Sequence, residues 1–160
     1  MKEIEIAYMA GVFDGEGSII IGKSKQSTNR IGIGYQLLLS LGMADKSIPD
    51  LFCSTFGGFV FDIPAHRTEF VKNALKTQWI WRINSKKAMQ CLEILIPYLR
   101  VKKDEARLAI TFQTAKSIHG GIKGIRGHPP KTDEAWAIEE NQYILMRSLK
   151  NKSEVYDGQM

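Results

Sequence analysis

The sequence predicts an α+β domain, four strands forming one sheet with helices over one of its faces. Three observations predict it. Segments with helical spacing and segments rich in isoleucine, leucine and tryptophan follow one another in the order helix, two strands, helix, two strands, three helices. The second strand alternates cleanly, with Leu37, Leu39, Leu41 and Met43 on one side and Gln36, Leu38, Ser40 and Gly42 on the other. At 160 residues and 44% hydrophobic content, the chain suits a single packed domain.

Residues 4–15 read as a helix that is small on one side, because Ala7, Gly11 and Gly15 recur every four residues. The first strand is expected over Ser18–Lys25, and the polar link KSKQSTNR leads into the second, Ile31–Met43. Ser47 is placed to cap a short helix with Pro49 in its first turn, ending at Gly57-Gly58. A third strand is expected over Phe59–Ile63. A basic loop with His66, Arg67, Lys72 and Lys76 follows, then a fourth strand over Thr77–Asn84 with Trp79, Trp81 and Ile83 on one side. Ser85 looks like the N-cap of a helix running to Leu99, with Met89, Leu92, Leu95 and Ile96 on its apolar face. The next helix spans Lys102–Ser117. A glycine-rich basic loop, HGGIKGIRGHPPK, precedes a last helix from Thr132 to Lys150. The other sheet face is left free for a partner.

Lysine and arginine exceed the acids to give a net charge of +5, which suits a polyanionic partner. No apolar run has the roughly 18–20 residues needed to cross a bilayer, and the start, MKEIEIAYMA, lacks a secretory core. The expected setting is cytoplasmic (nucleoid-associated) or organellar, without membrane or secretion. Cys53 and Cys91 lack zinc-ligand spacing and read as buried free thiols. The histidines, His66, His119 and His128, form no ligand-like cluster.

The chemistry concentrates in YMAGVFDGEGSI, Tyr8 to Ile19. Glycine inside a helix costs about 1 kcal/mol relative to alanine, so Gly11 and Gly15 need a compensating gain. A close helix crossing supplies one, whether from a second helix or from the chain's own core. Asp14 and Glu16 fall at the helix C-terminus, the negative end of its dipole, where two carboxylates are locally unfavourable. A divalent cation such as Mg²⁺, which takes a few oxygen ligands and keeps several waters, would relieve that conflict. Asp-Gly-Glu-Gly is also ordinary solvated turn chemistry.

MAGVFDGEG, Met9 to Gly17, resembles the nine-residue signature of the LAGLIDADG homing endonucleases. Ala10, Gly11, Asp14 and Gly17 are identical to it. Met9, Val12 and Phe13 are apolar for apolar, Gly15 small for small, and Glu16 acidic for acidic. The resemblance extends from about Tyr8 to Phe112 and implies an αββαββα fold with a four-stranded antiparallel DNA-binding sheet and, here, an extra C-terminal helix. It implies site-specific double-strand cleavage by metal-dependent hydrolysis at a long near-palindromic target, leaving 3′ overhangs, in a setting such as intron homing. The alternative within the resemblance is an inactive relative acting as an RNA splicing maturase or a DNA-binding regulator. Presence of Asp14, Glu16 and Lys102 favours cleavage.

By position, the resemblance makes Glu16 the metal-binding carboxylate, with the Gly15 carbonyl as a second ligand, for Mg²⁺ or for Mn²⁺ or Ca²⁺ in its place. No small-molecule cofactor is implied. Asp14 takes a structural role at the helix end, with a weaker claim to direct catalysis. In PYLRVKKDEA, Lys102 falls at the charge-stabilising lysine, with Lys103 as competitor, and Asp45 in MADK falls at a water-orienting position. Read plainly, Asp45 is equally a turn or N-cap residue. A single signature copy implies a homodimer, with Ala7, Ala10, Gly11, Asp14 and Gly15 at the interface and two-fold symmetry supplying a second Glu16.

Recognition of double-stranded DNA would use the open sheet face in the major groove. The candidates are Lys23, Ser24, Lys25, Gln26, Asn29, Arg30, Gln36, Ser40, Arg67, Gln78 and Arg82. Ile19 to Ile21 gives no alternation, so parity leaves open whether Lys23 or Ser24 faces the DNA. Residues 1–118 are expected to form the endonuclease domain, 119–131 a basic loop that follows phosphates or serves as a linker, and 132–160 a helix and tail of the same domain.

Overall fold

The structure, a computed structural model, describes residues 2–25, 32–65, 76–119 and 131–156, with the side chains of 119 and 152–156 excepted. Gln26, Asn29, Arg30, Arg67 and nearly all of the basic loop 119–131 lie outside the described residues.

The elements are α1 (Glu3–Glu16), β1 (Gly17–Lys25), β2 (Ile33–Met43), α2 (Ser47–Phe56), β3 (Phe59–Ile63), β4 (Gln78–Asn84), α3 (Ser85–Leu95), α4 (Lys103–His119) and α5 (Asp133–Tyr156). The four strands make one antiparallel sheet in the order β1-β2-β4-β3. This is the α+β architecture expected. Register follows the pleat. Ile19 opposes Leu39, and Leu41 opposes Trp81, so the odd positions of the three longer strands share one face. On that face Ile19, Ile21, Leu37, Leu39, Leu41, Trp81 and Ile83 are buried, together with Met9, Ala10 and Phe13 of α1, Phe52 of α2, and Leu92 and Leu95 of α3. Burying such a side chain contributes about 1.5–3 kcal/mol.

Local chemistry explains several boundaries. Phe56 ends α2, and Gly57 and Gly58 follow with φ of 80° and 93°, a region where a side chain is strained; a Cβ at Gly58 would also collide with the Arg82 carbonyl. The Gly57 carbonyl accepts the Trp81 indole N–H at 2.8 Å, satisfying a polar atom that would otherwise be buried alone. Thr132 accepts the Ala135 N–H at 3.2 Å and caps α5, as its position predicts.

Two expectations are corrected. Ser85 is the first residue of α3, with a φ of 52°, and Asn84 holds the cap position. Pairing of Asn84 with Leu38 keeps it extended to the strand's last residue, so the turn into the helix falls on Ser85. The α3 helix stops at Leu95 instead of Leu99. Ile96 keeps helical angles and bonds to the Leu92 carbonyl, but Pro97 has no N–H to continue the ladder, and the Tyr98 and Leu99 N–H groups both turn to the Leu95 carbonyl. Among the described residues no helix is long and apolar enough to cross a membrane.

Candidate active site and nucleic-acid interface

The small-residue side of α1 faces outward. Ala7, Gly11 and Gly15 are exposed, and a Cβ built on either glycine meets nothing within 4 Å. The compensating contact these glycines require is therefore not supplied by the described part of the chain's own core. Ile4 (75% exposed) and Tyr8 (54%) are also outward-facing on this helix. Ala10 is corrected: it is fully buried. One residue before Gly11, it is turned about 100° from the middle of the outer stripe and lies beside Met9 and Phe13, which anchor α1 to the sheet.

Asp14 fastens the end of α1 to the start of α4. Its carboxylate accepts the backbone N–H groups of Arg100 (2.6 Å), Val101 (3.3 Å) and Lys102 (3.0 Å). The Lys102 ammonium in turn donates to the Asp14 carbonyl. A cation at carbonyls of a helix C-terminus meets the negative end of the dipole, which explains its seat. Of the two competing lysines, Lys102 is the one whose ammonium reaches α1. Asp14 is thus engaged within its own chain, and the two residues that follow it, Gly15 and Glu16, are exposed at the tip.

Gly17 pairs with Leu41, so the end of β2 runs past the α1–β1 junction and carries Asp45 to the same end of the sheet. There the Asp45 carboxylate accepts the Ser47 N–H at 2.9 Å, and hydrogen bonding to Ser47 holds it below the ordinary carboxylate range. That geometry is a helix-start contact.

On the open face, register groups Ser18, Ile20, Gly22 and Ser24 of β1 with Gly34, Gln36, Leu38, Ser40 and Gly42 of β2, then Gln78, Ile80, Arg82 and Asn84 of β4, and Phe59, Phe61 and Ile63 of β3. Ser24, Gln36, Ser40, Gln78 and Arg82 therefore share the face expected of them. Lys23 is corrected. It shares the side of Ile19 and Ile21, its ammonium pairs with Glu140 of α5 at 2.9 Å, and it lies 5.6 Å from the centres of the Tyr35 and Tyr143 rings. Lys25 follows the same parity but is exposed at the strand end. Arg82 stacks on Phe61 at 4.9 Å. Asn84, which pairs with Leu38, is a polar open-face residue absent from the expected set, although period two from Gln78 and Arg82 points to it.

Lys150 of α5 is a second residue that the sequence did not bring forward. It places its ammonium 3.2 Å from the hydroxyl of Ser18, two positions beyond Glu16.

The donor set bears on the implied metal. Among the described residues no group of three or more Asp, Glu, His or Cys stands together. One copy thus offers the exposed Glu16 carboxylate and the neighbouring Gly15 carbonyl, both hard oxygen donors at the outward end of α1. These suit a magnesium-like ion that keeps waters or takes ligands from elsewhere. The residues fit.

No family model matches the chain, and no curated protein matches it. Solved structures do. The homing endonuclease I-CvuI, in complex with the I-CreI target in the presence of 2 mM Mg with the DNA not cleaved, superposes with a TM-score of 0.70 at 16% identity, covering 92% of this chain and 82% of that one. The homing endonuclease I-TnaI gives a TM-score of 0.60 at 15% identity, covering 93% and 95%. The LAGLIDADG homing endonuclease I-SmaMI bound to cleaved DNA gives 0.63 at 13% identity, covering 86% of this chain and 42% of that longer one. With the signature-like segment placed on the helix that ends in Glu16, the chain has the fold of the LAGLIDADG homing endonucleases.

Proposed function

We propose that the chain is a homodimeric, divalent-metal-dependent endonuclease that cuts both strands of a long, near-palindromic DNA site and leaves 3′ overhangs. The observation that carries this reading is the outward α1 face, notched at Gly11 and Gly15, which ends in exposed Glu16, with the Lys102 ammonium seated on the Asp14 carbonyl two residues before it. A second copy crossing the first at that face would bring two Glu16 tips together under symmetry.

Glu16 and the Gly15 carbonyl would hold the cation, which when bound polarises phosphoryl oxygens and lowers the barrier to forming hydroxide. Asp14 fixes the α1 tip against α4, and Lys102 supplies fixed positive charge where negative charge grows on the phosphate. Asp45, Ser24, Gln36, Ser40, Gln78 and Arg82 are assigned to the DNA-facing side; Asp45 would orient solvent and the others meet base edges or phosphates. The DNA complexes of I-CvuI and I-SmaMI, and the I-CvuI complexes prepared with Mg or Ca, support both the substrate and the cation.

Incubation with a library of randomised duplexes and Mg²⁺, beside Glu16→Gln, tests the reading. Wild type should cut a discrete, near-symmetric subset, and the variant should fall by at least about 100-fold in rate, the scale on which removal of one electrostatic stabiliser is felt. Tight duplex binding without any cutting would replace it with a binding-only function, and equal cutting by the variant would remove Glu16 from the site.

A further inference from the structure

The face of α5 that packs into the protein carries a spaced row: Ala135, Glu139, Gln142 and Met146 are buried, at separations of four, three and four residues. Four positions on from Met146 the row ends at Lys150, half-buried where α5 meets α4 and β1. An ammonium is an expensive group to put on the inner side of a helix, and this one is not drawn out to solvent. Its nitrogen sits 3.2 Å from the Ser18 hydroxyl.

Ser18 and Lys150 line a cavity of about 360 Å³ with Val101, Lys102, Asp104 and Glu105. Its charges are unequal in availability. Asp104 faces Arg107 at 3.1 Å. Glu105 is held above the ordinary carboxylate range by burial, an effect opposed by Lys150 and Lys102. Lys150 is pushed below the ordinary amine range by burial, with Glu105 opposing and Lys102 reinforcing that change. Lys150 and Lys102 therefore share a partly desolvated pocket with Glu105, whose single negative charge can balance one of the two ammoniums, and a phosphate oxygen would balance the second. The pocket adjoins the stretch Glu16-Gly17-Ser18, where a cleaved strand must pass if Glu16 acts on it.

We infer that Lys150, with the Ser18 hydroxyl and Lys102, forms a phosphate-binding pocket that grips the backbone of the strand being cut next to Glu16. This rests on the endonuclease reading and deepens it. Lys102 and Lys150 enter from different sides, the start of α4 and the length of α5, so together they fix the phosphate in two directions, and α5 becomes part of the working site. Ser18 at the start of β1 sets the reach of Lys150 and can donate its own hydroxyl to a phosphate oxygen.

The test uses the full-length protein and a duplex that wild type cuts, recovered from the randomised library, with a random-sequence duplex for the binding arm if none is cut. Lys150→Met keeps the stem and removes the charge. It should slow single-turnover cutting by about 10- to 100-fold. It should also flatten the log–log salt dependence of binding by about one unit for each phosphate that is no longer neutralised, while Lys150→Arg recovers most of both. A purely structural lysine would leave the salt slope unchanged. In the wild-type protein, bound duplex should also protect Lys150 from acetylation, a measurement that holds even if Lys150→Met does not fold. An unchanged slope in folded Lys150→Met, or equal acetylation with and without duplex, overturns the inference. Wild-type cutting together with wild-type behaviour of Lys150→Met would sink it alone, whereas Glu16→Gln cutting like wild type would sink the underlying reading instead.

Discussion

Asp14 shows how one side chain can build a site without entering it. Three backbone donors converge on its carboxylate and the Lys102 ammonium meets its carbonyl, so removing it strands the start of α4 and loosens the lysine together. Asp14→Ala should lower unfolding free energy by about 2–3 kcal/mol, the range for charged hydrogen bonds removed without replacement, as measured by urea denaturation. A change within about 0.5 kcal/mol, typical of neutral surface substitutions, would contradict that role. The cysteines make a second check at this scale. Burial pushes the Cys91 thiol far up, and Cys91 is 1% exposed, so the reactive thiolate is withheld. In the native state Cys53, which is half-buried, should alkylate first, and Cys91 only on unfolding, read by peptide mass. The structural role of Asp14 was legible from its place in the signature. That of Lys23 was illegible, because an unbroken Ile19–Ile21 run hides which parity faces the core until register is known.

At the scale of elements, α1 and α5 behave oppositely. The outer stripe of α1 was readable because every fourth residue is small, and no tertiary knowledge is needed to place positions four apart on one side. Ala10 was misplaced because membership of the signature says nothing about direction around the helix axis. The inner row of α5 was not readable. Glu139 and Gln142 are buried polar residues, which blur the apolar period that would have marked this face and so concealed Lys150 at its end. The α4–α5 contact is accordingly charged. Glu139, 2% exposed, pairs with Lys131 and faces Lys116, whose amine burial pushes down and whose ammonium donates to the Tyr35 carbonyl. Glu139→Ala leaves two lysines without their buried counter-charge and should cost about 3 kcal/mol in a denaturant melt, the cost of breaking a buried pair from one side. A change near zero would mean that the pair contributes nothing to holding α5.

For the whole molecule, one sheet serves two surfaces. Its odd positions bury Leu37, Leu39, Leu41 and Trp81 under the helices, and its even positions present Ser24, Gln36, Ser40, Gln78, Arg82 and Asn84 among Ile20, Leu38, Ile80 and, from β3, Phe61. If the proposed DNA contact holds, that open face would offer apolar groups to thymine methyls as well as polar groups to base edges. Strand order along the chain and the parity of β2 and β4 were foreseeable from composition and period; the pairing of β2 with β4 across the middle of the sheet was not, since period alone does not choose neighbours.

The assembly decides between these surfaces being a working nuclease or half of one. Gly11 and Gly15 leave open space on a single copy, while alanine at an exposed helical site would be about 1 kcal/mol better. In the proposed homodimer, close approach by a second α1 would be the gain that offsets this. Sedimentation of wild type and Gly11→Arg, each with and without a duplex, measures that directly. Wild type should run at twice the chain mass and the variant at the chain mass, with cutting abolished alongside pairing. A wild-type protein that stays at the chain mass under both conditions, or a Gly11→Arg variant that still pairs and cuts, would contradict the crossing of two α1 helices on which the shared Glu16 site depends.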